Sequence, residues 1–172
     1  VDTLSVAASP SLRDANKDRI VKFLECSSRW RHCNRVSLPQ LKIALSGVAG
    51  SEQLLCEVDK RLSQCSSGEH YGPTSEPYDY ELCRLVDTPA LRKLVNRSRY
   101  KEMFYEYRNM LLHGFRPPGK AFDALTESES REPFYMGLGT IGEGGIISVT
   151  WELTFPLGLF KALVEDGMAA LR

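Results

Sequence analysis

PALRKLVNRSRYKEMFYEYRNMLLHG, residues 89–114, decides the fold class, because it combines a helix start, a long helical apolar pattern and a helix stop. Thr88 followed by Pro89 is a cap with a first-turn proline, whose fixed φ suits a helix start and whose missing N–H is not needed there. Leu91, Leu94, Val95, Phe104, Tyr107, Met110 and Leu111 then supply an apolar face at helical spacing. Gly114 suits the left-handed position that ends a helix, and Pro117-Pro118 prevents continuation. The reading is one long helix from about Pro89 to His113.

Helical signals extend outward on both sides. Ile20, Val21, Phe23, Leu24 and Trp30 recur at spacings of three and four, predicting an amphipathic helix over residues 14–33. Ser37 and Pro39 open a second helix that runs to about Ser46, where Gly47 and Gly50 interrupt it, and Ser51-Glu52 reopens it through Leu62. Residues 66–77 hold three serines, two glycines and two prolines and read as a surface loop. Asp79 is placed to cap a short helix through Leu85.

The period changes after residue 132. Residues 134–138 and 146–155 are rich in β-branched and aromatic residues with glycines between them, which predicts a β-hairpin. Pro156 then opens a last helix, with Leu157, Phe160, Leu163, Val164, Met168 and Leu171 expected on its core side. The expected fold is mainly α, an up-and-down helical bundle with one β-hairpin before the C-terminal helix. Residues 1–13 read as a loose leader and residues 14–172 as a single domain; the chain does not begin with Met.

A chain of 172 residues is about one domain in size and should bury roughly 70% of the surface of its unfolded form. No apolar run approaches the roughly 18 residues of a membrane span, and the N-terminus lacks the basic start of a secretion signal, so the expectation is a cytoplasmic protein without membrane contact. Five cysteines form an odd set with no CxxC pair, and read as reduced, mostly buried thiols. The fragment from Cys65 to His70 has too few partners at ligand spacing, so no metal is expected, and no cofactor.

Net charge is zero, yet its distribution is uneven. Residues 84–120 carry nine basic and three acidic side chains, whereas residues 121–172 carry three basic and eight acidic ones. A basic stripe beside an acidic region suits phosphate binding, head-to-tail charge pairing or a merely solvated helix face.

Gly137-Leu138-Gly139-Thr140-Ile141-Gly142 matches GxGxxG, but that fingerprint needs a helix directly after the glycines to meet a pyrophosphate. Here a strand pattern follows, so the string is expected to form a hairpin loop, where glycine supplies the positive φ that such turns need. His32 and His70 stand alone, without identifiable partners.

Arg108, Asn109 and His113 are different, because a fork of phosphate donors, an amide and a proton-exchanging imidazole come together at a helix end. Asn109 and His113 are four apart and share a face; Arg108 lies about 140° from His113 and roughly 7.5 Å along the axis. A two-fold axis would bring the arginine and histidine of two copies across one cleft. The plainer alternative is that His113 only closes the helix while Arg108 pairs with Glu102 or Glu106.

This R-N-x-x-x-H string, with the following glycine, hairpin and closing helix, resembles the HEPN superfamily, whose hallmark is an Rx4-6H motif with a polar residue commonly after the arginine. The resemblance implies an all-α bundle that dimerises, here through the face of helix 89–113, and metal-independent cleavage of RNA in toxin or defence systems, with an antitoxin or other regulatory protein as partner. It implies that His113 performs acid-base chemistry, Arg108 holds the scissile phosphate and Asn109 orients them, with a 2′,3′-cyclic phosphate as product. Arg97, Lys101 and Arg116 are the expected substrate-binding cations. Family members controlled by nucleotidyl transfer carry a tyrosine two residues after the histidine; Phe115 stands there, so that control is not expected. A non-catalytic module that binds RNA, a nucleotide or a protein is the alternative function.

Overall fold

A computed structural model describes residues 16–64, 72–114, 130–142 and 145–170, which form a mainly helical fold with one β-hairpin. The helices are α1 (Asn16–Cys26), α2 (Leu38–Leu45), α3 (Glu52–Ser63), α4 (Asp79–Cys83), α5 (Pro89–Arg97), α6 (Tyr100–Gly114) and, after the hairpin, α7 (Leu157–Ala170). The hairpin pairs β1 (Phe134–Gly142) with β2 (Gly145–Thr154) antiparallel, with an irregularity after Thr140 and Gly145 at φ 122°. The GxGxxG string, expected to form the hairpin loop, instead lies within β1, because its backbone pairs with β2, with Gly137 opposite Trp151 and Gly139 opposite Val149. The expected leader, residues 1–13, lies outside the described residues, as do Cys65 and His70.

The caps form largely as the sequence predicts. Ser37 accepts from the Gln40 N–H at 3.3 Å and Thr88 from the Leu91 N–H at 3.3 Å, satisfying donors left over at two helix starts. At α4 the cap position falls on Tyr78, whose N–H donates to Glu81 at 2.8 Å, while Asp79 sits one residue inside the helix. Gly47 and Gly50 both have φ near +77°, a conformation open to glycine, and this separates α2 from α3.

Two helices differ from their sequence prediction. The first ends at Cys26, because the N–H groups of Ser27 and Ser28 both turn back to the Phe23 carbonyl, and the Ser28 hydroxyl donates to the Leu24 carbonyl at 2.6 Å. Trp30 therefore leaves the helix and enters the core from a turn. The long helix expected over 89–113 is two helices, α5 and α6, parted at Ser98-Arg99. Residues 33–37 occupy the break. Ser37 N–H donates to the Ser98 carbonyl at 2.9 Å, Tyr100 N–H to the Arg35 carbonyl at 3.0 Å and Lys101 N–H to the Cys33 carbonyl at 3.0 Å. These backbone groups are satisfied across the chain, so a continuous helical ladder has no use for them.

Two apolar cores result. One gathers Phe23, Leu24, Trp30, Phe104, Tyr107, Phe155 and Leu163 from α1, α6, the end of β2 and α7. The other gathers Leu38, Leu41, Leu54, Val58, Leu82, Leu91 and Val95 from α2 to α5. Between them lies a polar seam in which Glu76, 1% exposed, accepts from the Leu38 N–H at 2.9 Å, and buried Ser37 bonds to Tyr135. Burial and the Glu76 carboxylate push the Tyr135 phenol well above its ordinary range.

The last helix turns differently from its sequence prediction. Leu159, Leu163 and Gly167 face inward, and Leu157, Val164 and Met168 lie outside, at 68%, 38% and 53% exposure. Apolar residues occupy both stripes of α7, so spacing alone does not choose between them. Packing does: Phe160 lies 5.1 Å from the Phe104 ring, and Asp166 accepts from the Arg29 N–H at 2.6 Å. Leu171 is outside the described residues. The four described cysteines are free, but only Cys33 among them is buried, while Cys26 and Cys56 are exposed.

Candidate functional site

Helix α6 carries the motif, and its inner face determines how the motif sits. Tyr100, Phe104 and Tyr107 follow one another at spacings of four and three and are buried in the first core. Phe104 meets Trp30 edge-on at 5.9 Å and Phe155 at 5.6 Å, so the helix is held by aromatic contacts on this side. Met110, expected in the apolar face, is instead 47% exposed.

Arg108 adjoins that inner face and is 9% exposed. Its Nη1 donates to Oδ1 of Asn109, which joins two of the three motif residues. Desolvation shifts the guanidinium pKa downward, although an arginine stays charged at any physiological pH. The Arg108 pairing with Glu102 or Glu106 that spacing allowed is not the arrangement these carboxylates adopt. Glu102 binds Lys17 at 2.7 Å and Arg99 at 3.1 Å, and Glu106 binds Arg97 at 3.4 Å.

The helical backbone continues through Gly114. At 100° per residue, positions 102, 106, 109 and 113 therefore form one stripe along α6, with 113 about 10.5 Å beyond 106. The side chain of His113 is outside the described residues, as is Arg116.

The other expected substrate-binding cations have different surroundings. Arg97 is exposed and lines a surface groove of about 580 Å³ between α1, α5 and α6. Lys101, expected to face a phosphate, is 2% exposed and its Nζ is held by Glu25 and Asn34. Burial next to a carboxylate fits a structural ion pair, because a desolvated ammonium needs its counter-charge close by. Lys17, Arg92 and Lys93 also line the groove. Arg92 and Lys93 stand in the basic segment visible in the sequence; Lys17, far upstream, carried no signal that it would join them.

The basic segment is thus partly neutralised within the fold, with Arg99 bound to Asp79 at 3.0 Å and to Glu102. The acidic C-terminal region meets other partners: Asp166 binds Arg29 at 3.5 Å, and Glu132 lies 3.1 Å from His32. Among the described residues no three His, Cys, Asp or Glu side chains are grouped to hold a metal, and no helix is long and apolar enough to cross a membrane. No protein-family model matches the chain, and no curated protein or solved structure shows significant similarity to it.

Proposed function

We propose that this chain is a metal-independent endoribonuclease of the HEPN type that cuts single-stranded RNA, working as a cytoplasmic homodimer in a toxin or defence setting under a regulatory partner. The observation that carries the proposal is the Arg108 to Asn109 hydrogen bond on a helix whose register brings position 113 onto the Asn109 stripe. It supports a preassembled phosphate-and-amide group in line with a proton carrier.

In this reading the imidazole of His113 takes the proton of a ribose 2′-hydroxyl, and the freed oxygen attacks the adjacent phosphorus. The bond from phosphorus to the 5′ oxygen breaks, a 2′,3′-cyclic phosphate forms, and the leaving oxygen takes a proton from an imidazolium of the second copy. Arg108 neutralises charge gathering on the phosphoryl oxygens, and Asn109 holds the guanidinium in position.

One observation favours the non-catalytic alternative. Arg108 is turned mostly inward, as expected of a residue retained for packing within α6 or at a dimer contact. RNA incubated with pure protein in excess chelator separates the readings. The ribonuclease yields fragments ending in cyclic phosphate, and His113→Ala abolishes them while retaining fold and sedimentation behaviour. Absence of cleavage, or equal cleavage by both proteins, rejects it.

A further inference from the structure

The groove between α1, α5 and α6 carries more positive charge than the fold consumes. Its charged lining consists of Lys17, Arg92, Lys93 and Arg97 against Glu102 and Glu106. Each carboxylate is already engaged, Glu102 by Lys17 and Arg99, and Glu106 by Arg97. Arg92 and Lys93 are exposed and have no carboxylate partner among the described residues; the Arg92 Nε lies 3.5 Å from the Val86 carbonyl. The surplus is therefore two cations on one turn of α5.

The local sequence explains why these cations face outward together. Leu91 and Val95 are buried in the second core, which turns positions 92, 93 and 97 toward the groove. The break at Ser98-Arg99 then places this polar face of α5 beside the polar stripe of α6. Glu102 and Glu106 on the groove wall stand on the stripe that continues to Asn109 and position 113, about 4.5 Å and 10.5 Å further along the axis.

We infer that this groove is a track for the phosphate backbone of a single RNA strand, holding it on Arg92 and Lys93 and leading it along α6 toward Asn109. This rests on the ribonuclease reading for its direction. A guanidinium fork and an ammonium suit phosphate oxygens. The alignment with the motif stripe favours a continuous strand over a free anion or an acidic peptide. None of the described residues that line the groove is aromatic, so the track reads charge and not base identity.

The test uses the full chain and a fluorescent 2′-O-methyl oligonucleotide of about 12 nucleotides, which binds but has no 2′-hydroxyl to attack. Affinity is measured across salt for the parent and for Arg92→Gln/Lys93→Gln, with circular dichroism and thermal melting as fold controls. Loss of two phosphate contacts flattens the logarithmic salt slope by about 1.4, so the variant's affinity deficit relative to the parent is about 25-fold larger at 0.1 M salt than at 1 M. An acidic peptide of similar length is the competing probe.

Reduced affinity and slope in the double variant, with an unchanged melt, support the track. No binding by the parent, an unchanged slope in a folded variant, or preference for the peptide overturns it. Should the variant misfold, Lys93→Gln alone, at an exposed position, carries the same prediction with half the slope change. Cleavage assayed in parallel keeps the two ideas apart: binding without cleavage removes the nuclease and leaves the track, and unaltered binding by the variant with cleavage present does the reverse.

Discussion

The indole N–H of Trp30 donates to Oε2 of Glu132 at 2.9 Å, linking residues 102 positions apart. The same carboxylate lies 3.1 Å from His32, so the approach to β1 is tied to the turn after α1. Trp30 meanwhile meets Tyr100, Phe104 and Phe155 edge-on, which makes it the centre of the first core.

Trp30→Ala should cost about 3–5 kcal/mol, the range for emptying a large aromatic site. Glu132→Gln should cost about 1 kcal/mol, because the amide still accepts from the indole, as a neutral acceptor in place of a charged one. Urea denaturation of both variants checks the order; a Glu132→Gln protein as unstable as Trp30→Ala would contradict it.

Lys101 is expected to matter for folding and not for RNA. Lys101→Ala leaves Glu25 without its ammonium and should destabilise by about 2–3 kcal/mol, less than a fully buried pair because Glu25 remains 36% exposed. Lys101→Met, which fills the space, should recover part of this. Oligonucleotide affinity of the folded Lys101→Met protein should match the parent; a marked loss would return Lys101 to the substrate side.

Burial pushes the Cys33 thiol from 9.0 up to about 11. A folded-state pKa above the unfolded one means the unfolded chain releases its proton first as pH rises. Cys33 therefore has no effect on stability below about pH 9 and subtracts progressively between pH 9 and 11, by about 2–3 kcal/mol at most. Tyr135, raised by burial as well, adds to the decline from about pH 10 upward. Stability measured against pH for parent and Cys33→Ala isolates the thiol, since only the parent should lose stability in the first part of that window.

Arg108→Lys retains charge but loses the planar fork that reaches Asn109. If the site is catalytic, the cleavage rate should fall by about 10²–10³, comparable to losing one transition-state donor, with little change in the melt. A variant that cleaves as the parent does, or one that fails only through unfolding, assigns Arg108 to packing.

Much of the helical order was legible from the sequence, because caps and breakers act locally. Ser37, Thr88-Pro89, Gly47 and Gly50 each control the backbone within a few residues, and each acts where the sequence placed it. The antiparallel hairpin was legible for the same reason, through its β-branched residues and glycines. The face of α7 was not, since two apolar stripes satisfy the same period and contacts with Phe104, Tyr107 and Arg29 choose between them.

The candidate site divides along the same line. The sequence by itself put Arg108, Asn109 and position 113 on one helix and fixed their angular relation, because helical geometry is a local property. Only the tertiary structure decided that this helix starts at Tyr100, that Lys101 is consumed by Glu25, and that Lys17 joins Arg92 and Lys93 at a groove. Residues 33–37 lie more than 60 positions before the backbone they interrupt. Hydrogen bonds across that separation leave no periodic trace in either segment, so their effect emerges only when the chain has folded.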